Sequence, residues 1–183
     1  MKSVLLLSLL LLPAWGKAES APAPASPPAD PWAAVRALEG EWTGEAEGEP
    51  GLGTVHRSYQ FVLDHRFLHE RNSSAYAPKP PALRGELHEH WSFISFDKVR
   101  KRLVLRQFHE EGFINQYVAA DETGAPGKLV FESESFENLG GNWRARETYE
   151  FSGADAFSEV FELAEPGKEF HVYSKTVFQR VKR

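Results

Sequence analysis

The segment Trp143-Arg144-Ala145-Arg146-Glu147-Thr148-Tyr149-Glu150-Phe151, the turn Ser152-Gly153-Ala154-Asp155, and the run Phe157-Ser158-Glu159-Val160-Phe161-Glu162-Leu163 decide the fold. On both sides of the turn, large side chains recur at every second position. A period of two is the signature of a strand with one face buried, and a tight connection between two such runs makes an antiparallel hairpin. The same pattern extends in both directions. Upstream lie Trp42-Gly44-Ala46, Val55-Arg57-Tyr59-Phe61-Leu63, Phe67-His69-Arg71-Ser73-Ala75 and Leu87-Glu89-Trp91-Phe93-Ser95. They are followed by Leu103-Leu105-Gln107-His109, Phe113-Asn115-Tyr117-Ala119 and Leu129-Phe131-Ser133-Ser135. Downstream, Glu165-Pro166-Gly167-Lys168 leads into a last strand from about 170 to 181. Ten strands joined mainly by short turns leave no room for crossover helices, so a parallel α/β fold is excluded. The reading is an all-β protein, a ten-stranded antiparallel up-and-down barrel, with a two-sheet sandwich as the alternative.

The ends of the chain differ from this body. Lys2, the apolar run from Val4 to Leu12, and the small residues Gly16 and Ala18 read as a secretory signal peptide over residues 1–18. Residues 19–31, rich in Ala and Pro, read as a flexible linker, and residues 32–183 as the folded domain. Asp30 is placed to cap one short helix, with Pro31 in its first turn, Trp32, Val35 and Leu38 on one stripe, and Gly40 ending it. The expected location is the periplasm or the medium. No later segment is long and apolar enough to span a bilayer as a helix.

Composition narrows the function. A net charge of −5 provides no basic field for a nucleic-acid backbone. The absence of Cys excludes disulfides, thiolate metal sites and a cysteine nucleophile. No GxSxG, HExxH or phosphate-cradling glycine loop occurs. Asn72-Ser73-Ser74 matches a glycosylation acceptor, relevant only in a host that glycosylates secreted proteins.

Alternation assigns an inward set rich in aromatic residues that also carries polar groups. Its candidate ligand-binding members are Arg57, Tyr59, Glu89, Trp91, Gln107, Asn115, Tyr117, Trp143, Glu147, Tyr149 and Glu159. Such a set suits a chamber that holds a small, largely apolar molecule and orients it with a few hydrogen bonds. The alternative is a structural cluster in which Arg57 pairs with a carboxylate and the barrel is a non-enzymatic interaction module. In that case an outer apolar patch is expected around Ile94, Phe96, Val104 and Phe108. Glu147 and Glu159 lie on adjacent strands, close enough for one carboxyl to be raised, which leaves a hydrolase or isomerase open as a lesser reading. His88 and His90 share one strand face, read here as the outward one, with no third ligand placed beside them. His69 and His109 fall on the inward parity. Neither a metal nor a cofactor is expected. The partner is a small molecule, and the chain is a monomer or homodimer.

Leu38-Glu39-Gly40-Glu41-Trp42-Thr43-Gly44 resembles the opening of calycin-type barrels, a Gly-x-Trp entering the first strand after a short helix. In lipocalins that Trp packs at the barrel base beneath an Arg of the last strand. The resemblance thus implies a cation–π role for Arg180, with Arg183 the second candidate. Glu89-His90-Trp91-Ser92-Phe93, Gly141-Asn142-Trp143-Arg144-Ala145-Arg146-Glu147-Thr148-Tyr149 and Pro166-Gly167-Lys168-Glu169-Phe170 are similar to bacterial secreted lipocalin-like domains. Fatty-acid-binding proteins and the haem-binding nitrobindins are more distantly similar. The first bind carboxylate through an Arg-x-Tyr, where this chain has His171-Val172-Tyr173. The second need a proximal His, for which only His171 is placed. Lipocalins usually have eight strands and often disulfides, whereas this chain has ten strands and no Cys.

Overall fold

The computed structural model describes residues 30–120 and 127–182. The expected signal peptide, most of the linker, residues 121–126 and Arg183 lie outside the described residues. Ten strands follow in order: β1 Gly40–Gly48, β2 Gly53–Val62, β3 Phe67–Tyr76, β4 Glu86–Asp97 and β5 Arg102–His109. They continue with β6 Ile114–Ala119, β7 Lys128–Glu137, β8 Arg144–Phe151, β9 Ala156–Ala164 and β10 His171–Arg180. Each strand pairs antiparallel with its neighbour in sequence, and β1 pairs with β10, so the sheet closes into a barrel. Closure leaves no unpaired edge. The sandwich is therefore excluded.

The expected N-terminal helix is a series of turns ending in a three-residue 3-10 helix, Arg36–Leu38. Asp30 caps its start, its carboxylate accepting the Trp32 N–H at 3.0 Å. Val35 and Leu38 are fully buried against the barrel, and Trp32 packs edge-on against Phe61 with ring centres 5.5 Å apart. This segment plugs one end, the base. There the Trp42 indole N–H donates to the Leu38 carbonyl at 2.6 Å, and the Arg180 guanidinium covers the Trp42 ring at 4.2 Å. Arg180 also donates to the carbonyls of Ala37, Glu39 and Ala154. One side chain thus ties the last strand, the first strand and the plug together.

The base is densely packed. Trp42 meets Phe157 edge-on at 4.7 Å, and Phe157 stacks on Phe178 at 4.6 Å. Tyr59, Tyr117, Phe131 and Tyr149 complete this core. Gly44 is required by the packing: a Cβ there would lie 2.7 Å from Thr176 Cγ2 and 2.8 Å from the Phe178 ring.

Two strands present the opposite face from the one expected. On β3 the inward residues are Leu68, Glu70, Asn72 and Ser74, and on β4 they are His88, His90, Ser92 and Ile94. Leu87, Glu89, Trp91 and Phe93 therefore point outward, and Trp91 is 52% exposed. The cause is the four-residue turn Leu63-Asp64-His65-Arg66, three of whose residues adopt positive φ. It pairs Val62 with Phe67, so each odd residue of β2 faces an even residue of β3. Directly opposed residues share a face, and one position of register inverts a whole strand. β4 inherits the inversion, Asn72 facing His90, and the next turn restores odd parity, His90 facing His109.

Candidate functional site

The barrel is filled at its base and hollow towards the other end. A pocket of about 360 Å³ opens where the β1–β2, β3–β4, β5–β6, β7–β8 and β9–β10 connections meet. Its walls combine polar side chains (Arg57, Asn72, Gln107, Asn115, Glu147, Glu159) with Val55, Phe113, Phe136, Phe161 and Leu163.

Arg57 organises the floor. Strand alternation puts it inside, and the barrel then has to satisfy five N–H groups away from water. Its Nε donates to Asn72 Oδ1 at 2.9 Å and lies 3.0 Å from Glu70 Oε1. Nη2 is 2.9 Å from Glu159 Oε2, and Nη1 donates to the Tyr59 hydroxyl at 3.2 Å. The guanidinium also covers the Phe178 ring at 4.6 Å. Burial opposes its charge, but Glu159, then Tyr59 and Glu70, outweigh burial, and the pKa lies well above the usual value. Burial alone would raise Glu70; the Arg57 charge, with His90 and Ser92, holds it instead at about 2.

Glu147 differs. Its Oε2 accepts the Tyr149 hydroxyl at 2.7 Å. Burial first, and then the charge of Glu159, push its pKa up to about 8, so near neutral pH it keeps its proton. Burial likewise raises Tyr59, Tyr117 and Tyr149, which remain neutral hydroxyls. The expected approach of Glu147 and Glu159 thus occurs, with Glu159 bound to Arg57 and Glu147 left to act as an acid. Asn115 donates from Nδ2 to the Tyr117 hydroxyl at 3.1 Å, while its buried Oδ1 has no hydrogen-bond partner.

Among the sequence-predicted residues, Arg57, Gln107, Asn115, Glu147 and Glu159 line the pocket together. Tyr59, Tyr117 and Tyr149 are buried but belong to the packed core. Glu89 and Trp91 lie outside the barrel because β4 is inverted. Trp143 precedes the first residue of β8 and is half-buried against its own turn, near Gly141, rather than lining the pocket. His69 faces outward, stacked on Phe93 at 4.7 Å. His171 is exposed and paired with Glu49 at 3.2 Å, outside the pocket. The outer patch is also relocated: Ile94 and Val104 are buried, and Trp91 and Phe108 are the large exposed aromatics among the described residues, with Arg71 stacked on Trp91 at 4.7 Å.

Glu70, Asn72, His88 and His90 were missed on the inner face. The signal for them was the even count of residues in the β2–β3 turn, together with the need of a buried Arg57 for an opposing carboxylate. His109 was read inward and is; burial first, then the neighbouring His90, lower its pKa to about 4. His88 is raised: burial opposes this, but hydrogen bonds to Glu111 and Glu86 outweigh it.

The fold is similar to the crystal structure of Rv2717c from M. tuberculosis, with a TM-score of 0.60 and 14% identity over 84% of this chain and 99% of that one. At that identity the likeness is one of fold. No protein-family model matches the sequence. No curated protein matches it either.

Proposed function

We propose that this protein is an exported, calycin-like binding protein that takes one small amphipathic molecule into the open half of its barrel. The observation that carries the reading is the pocket of about 360 Å³, where the unpartnered Asn115 Oδ1, Gln107 and the carboxyl of Glu147 face a common space. Buried polar groups without partners are disfavoured in a closed core and suit a site completed by a ligand. The walls Val55, Phe113, Phe136, Phe161 and Leu163 provide apolar contact, and the polar floor provides orientation. The ligand is accordingly more polar at one end than the aromatic composition alone suggested. A molecule presenting an O–H or N–H to Asn115 Oδ1 fits best.

A second reading has one observation in its favour. Trp91 and Phe108, 52% and 42% exposed, stand with Phe93 on the outer face of β4 and β5, as a protein-interaction module requires.

Native mass spectrometry of protein purified from its own host separates the two. The expected result is one bound small molecule, lost in Ala145→Phe, whose added ring fills the pocket from a fully buried wall position. A spectrum of bare protein, with self-association abolished by Trp91→Ser and Phe108→Ser, would overturn the binding reading in favour of the module.

A further inference from the structure

The charges on the pocket wall do not balance. Among the described residues Arg57 is the only Lys or Arg that lines it, against the carboxyls of Glu111, Glu147 and Glu159. Arg57 is engaged by Glu159 at 2.9 Å and by Glu70 at 3.0 Å, and His88 by Glu111 at 2.7 Å. Glu147 has no basic nitrogen within ion-pair distance among the described residues, and the Tyr149 hydroxyl is its hydrogen-bond donor. On the binding reading above, we propose that the molecule held in the pocket is an amphipathic amine, its ammonium group paired with Glu147 and its apolar body laid against Phe136, Phe161 and Leu163.

A cation at this place meets acceptors. The Tyr117 hydroxyl stands beside both Glu147 and Asn115, accepting from Asn115 Nδ2 at 3.1 Å, and the buried Asn115 Oδ1 has no partner. An ammonium group carries three N–H donors and no acceptor, which suits a carboxylate next to an unpaired amide oxygen. The wall between mouth and floor is aromatic. Phe161 and Tyr173 both line it, edge-on with ring centres 5.7 Å apart, and the faces of such rings attract a cation. The surroundings of Glu147 also let it ionise when a cation arrives. Facing it are Arg57 of β2, Glu70 of β3, Tyr117 of β6, Tyr149 of β8 and Glu159 of β9, while β7 sets Phe131 opposite. Burial and Glu159 keep its proton on near neutral pH, with a pKa of about 8, and an opposite charge at the carboxyl draws that proton off. The rim histidines do not supply this charge. His109 titrates at about 4, His88 is held by Glu111 and Glu86, and His90 lies 3.4 Å from Glu70.

The test titrates the full chain by calorimetry with three probes of one shape: phenylbutylamine, phenylbutanol and phenylbutyrate. Near neutral pH the amine should bind as one equivalent, about tenfold or more tighter than the alcohol, and the butyrate more weakly than either. An alkylamine, like a lysine side chain, stays charged to about pH 10. The affinity of the amine should therefore rise roughly tenfold per pH unit below about pH 8 and level off above it, as Glu147 gives up its proton before pairing. Glu147→Gln should abolish both the preference for the amine and this slope, with far-UV dichroism unchanged. The wild-type comparison needs no variant, so a Glu147→Gln chain that misfolds leaves it decisive. Alcohol or butyrate bound as tightly as the amine, or a preference that survives Glu147→Gln, overturns the ammonium site and leaves the pocket a binding site for another class of molecule. Uptake of none of the three also overturns it, and native mass spectrometry then tells whether the binding reading falls with it.

Discussion

Glu147 holds its proton because the fold buries it and sets the Glu159 carboxylate beside it, and these outweigh the Tyr149 hydroxyl, whose donated hydrogen bond favours the ionised form. Its pKa of about 8 in the folded chain stands above the ordinary value of 4.5 that it regains on unfolding. Between those limits the folded state binds a proton that the unfolded state has released. This contribution to stability is therefore complete below about pH 4.5 and is lost as pH rises through about 8. The slope approaches about 1.4 kcal/mol per pH unit in that window. Glu147→Gln, neutral at every pH, should flatten urea-derived stability across it; an unchanged slope would show that another group titrates there. Arg57 marks the limit of what single residues disclose. Its need for a carboxylate was legible in the chain, but which carboxylate was not, and the structure supplies Glu159. Glu70, the second, sat on a strand read with the wrong face inward.

At the scale of strands, β3 and β4 show why alternation alone is ambiguous. β4 carries Leu87, Trp91 and Phe93 on one face and His88, His90, Ser92 and Ile94 on the other, and hydrophobicity favours the first. The fold uses the second, because hydrogen-bonded pairing with β3 and β5 transmits a register set by turn lengths. The outward aromatics are then covered by one another and by Arg71 and His69. The cysteine-free chain makes this easy to check. Cysteine introduced as Glu89→Cys should react with a maleimide at the rate of a free thiol. Ser92→Cys, at a fully buried position, should be protected by about a hundredfold or more while the protein is folded. Equal rates, or the reverse order, would contradict the inward face described for β4.

Over the whole molecule, the barrel divides into a packed base and an open end, and Arg180 is the clasp of the base. Its cation–π contact with Trp42 and its hydrogen bonds to the plug connect residues far apart in the chain. Arg180→Met keeps the length of the stem but loses the charge and the donors. It should reduce stability by about 2 kcal/mol in urea unfolding. An unchanged midpoint would reduce the clasp to a surface contact. The division of the barrel also explains the aromatic residues expected to line a chamber. Tyr59, Tyr117 and Tyr149 went into the base, and the cavity that remained is more polar than composition implied.

Much of this architecture was determined by the sequence alone. Period-two alternation, short turns and the absence of room for crossovers specify ten antiparallel strands, and the calycin-like opening Gly40-Glu41-Trp42 implies, by resemblance, an Arg of the last strand over its Trp, a place that Arg180 takes. These features depend on neighbours close in the chain or on one recognisable contact. Which side chains share the interior was decided only by tertiary structure. Turn geometry sets register, register propagates from strand to strand, and closure makes every strand answer to two neighbours at once. Thus His88, His90 and His109 meet at one rim, and Glu70 meets Arg57, through pairings that no single stretch of the chain contains.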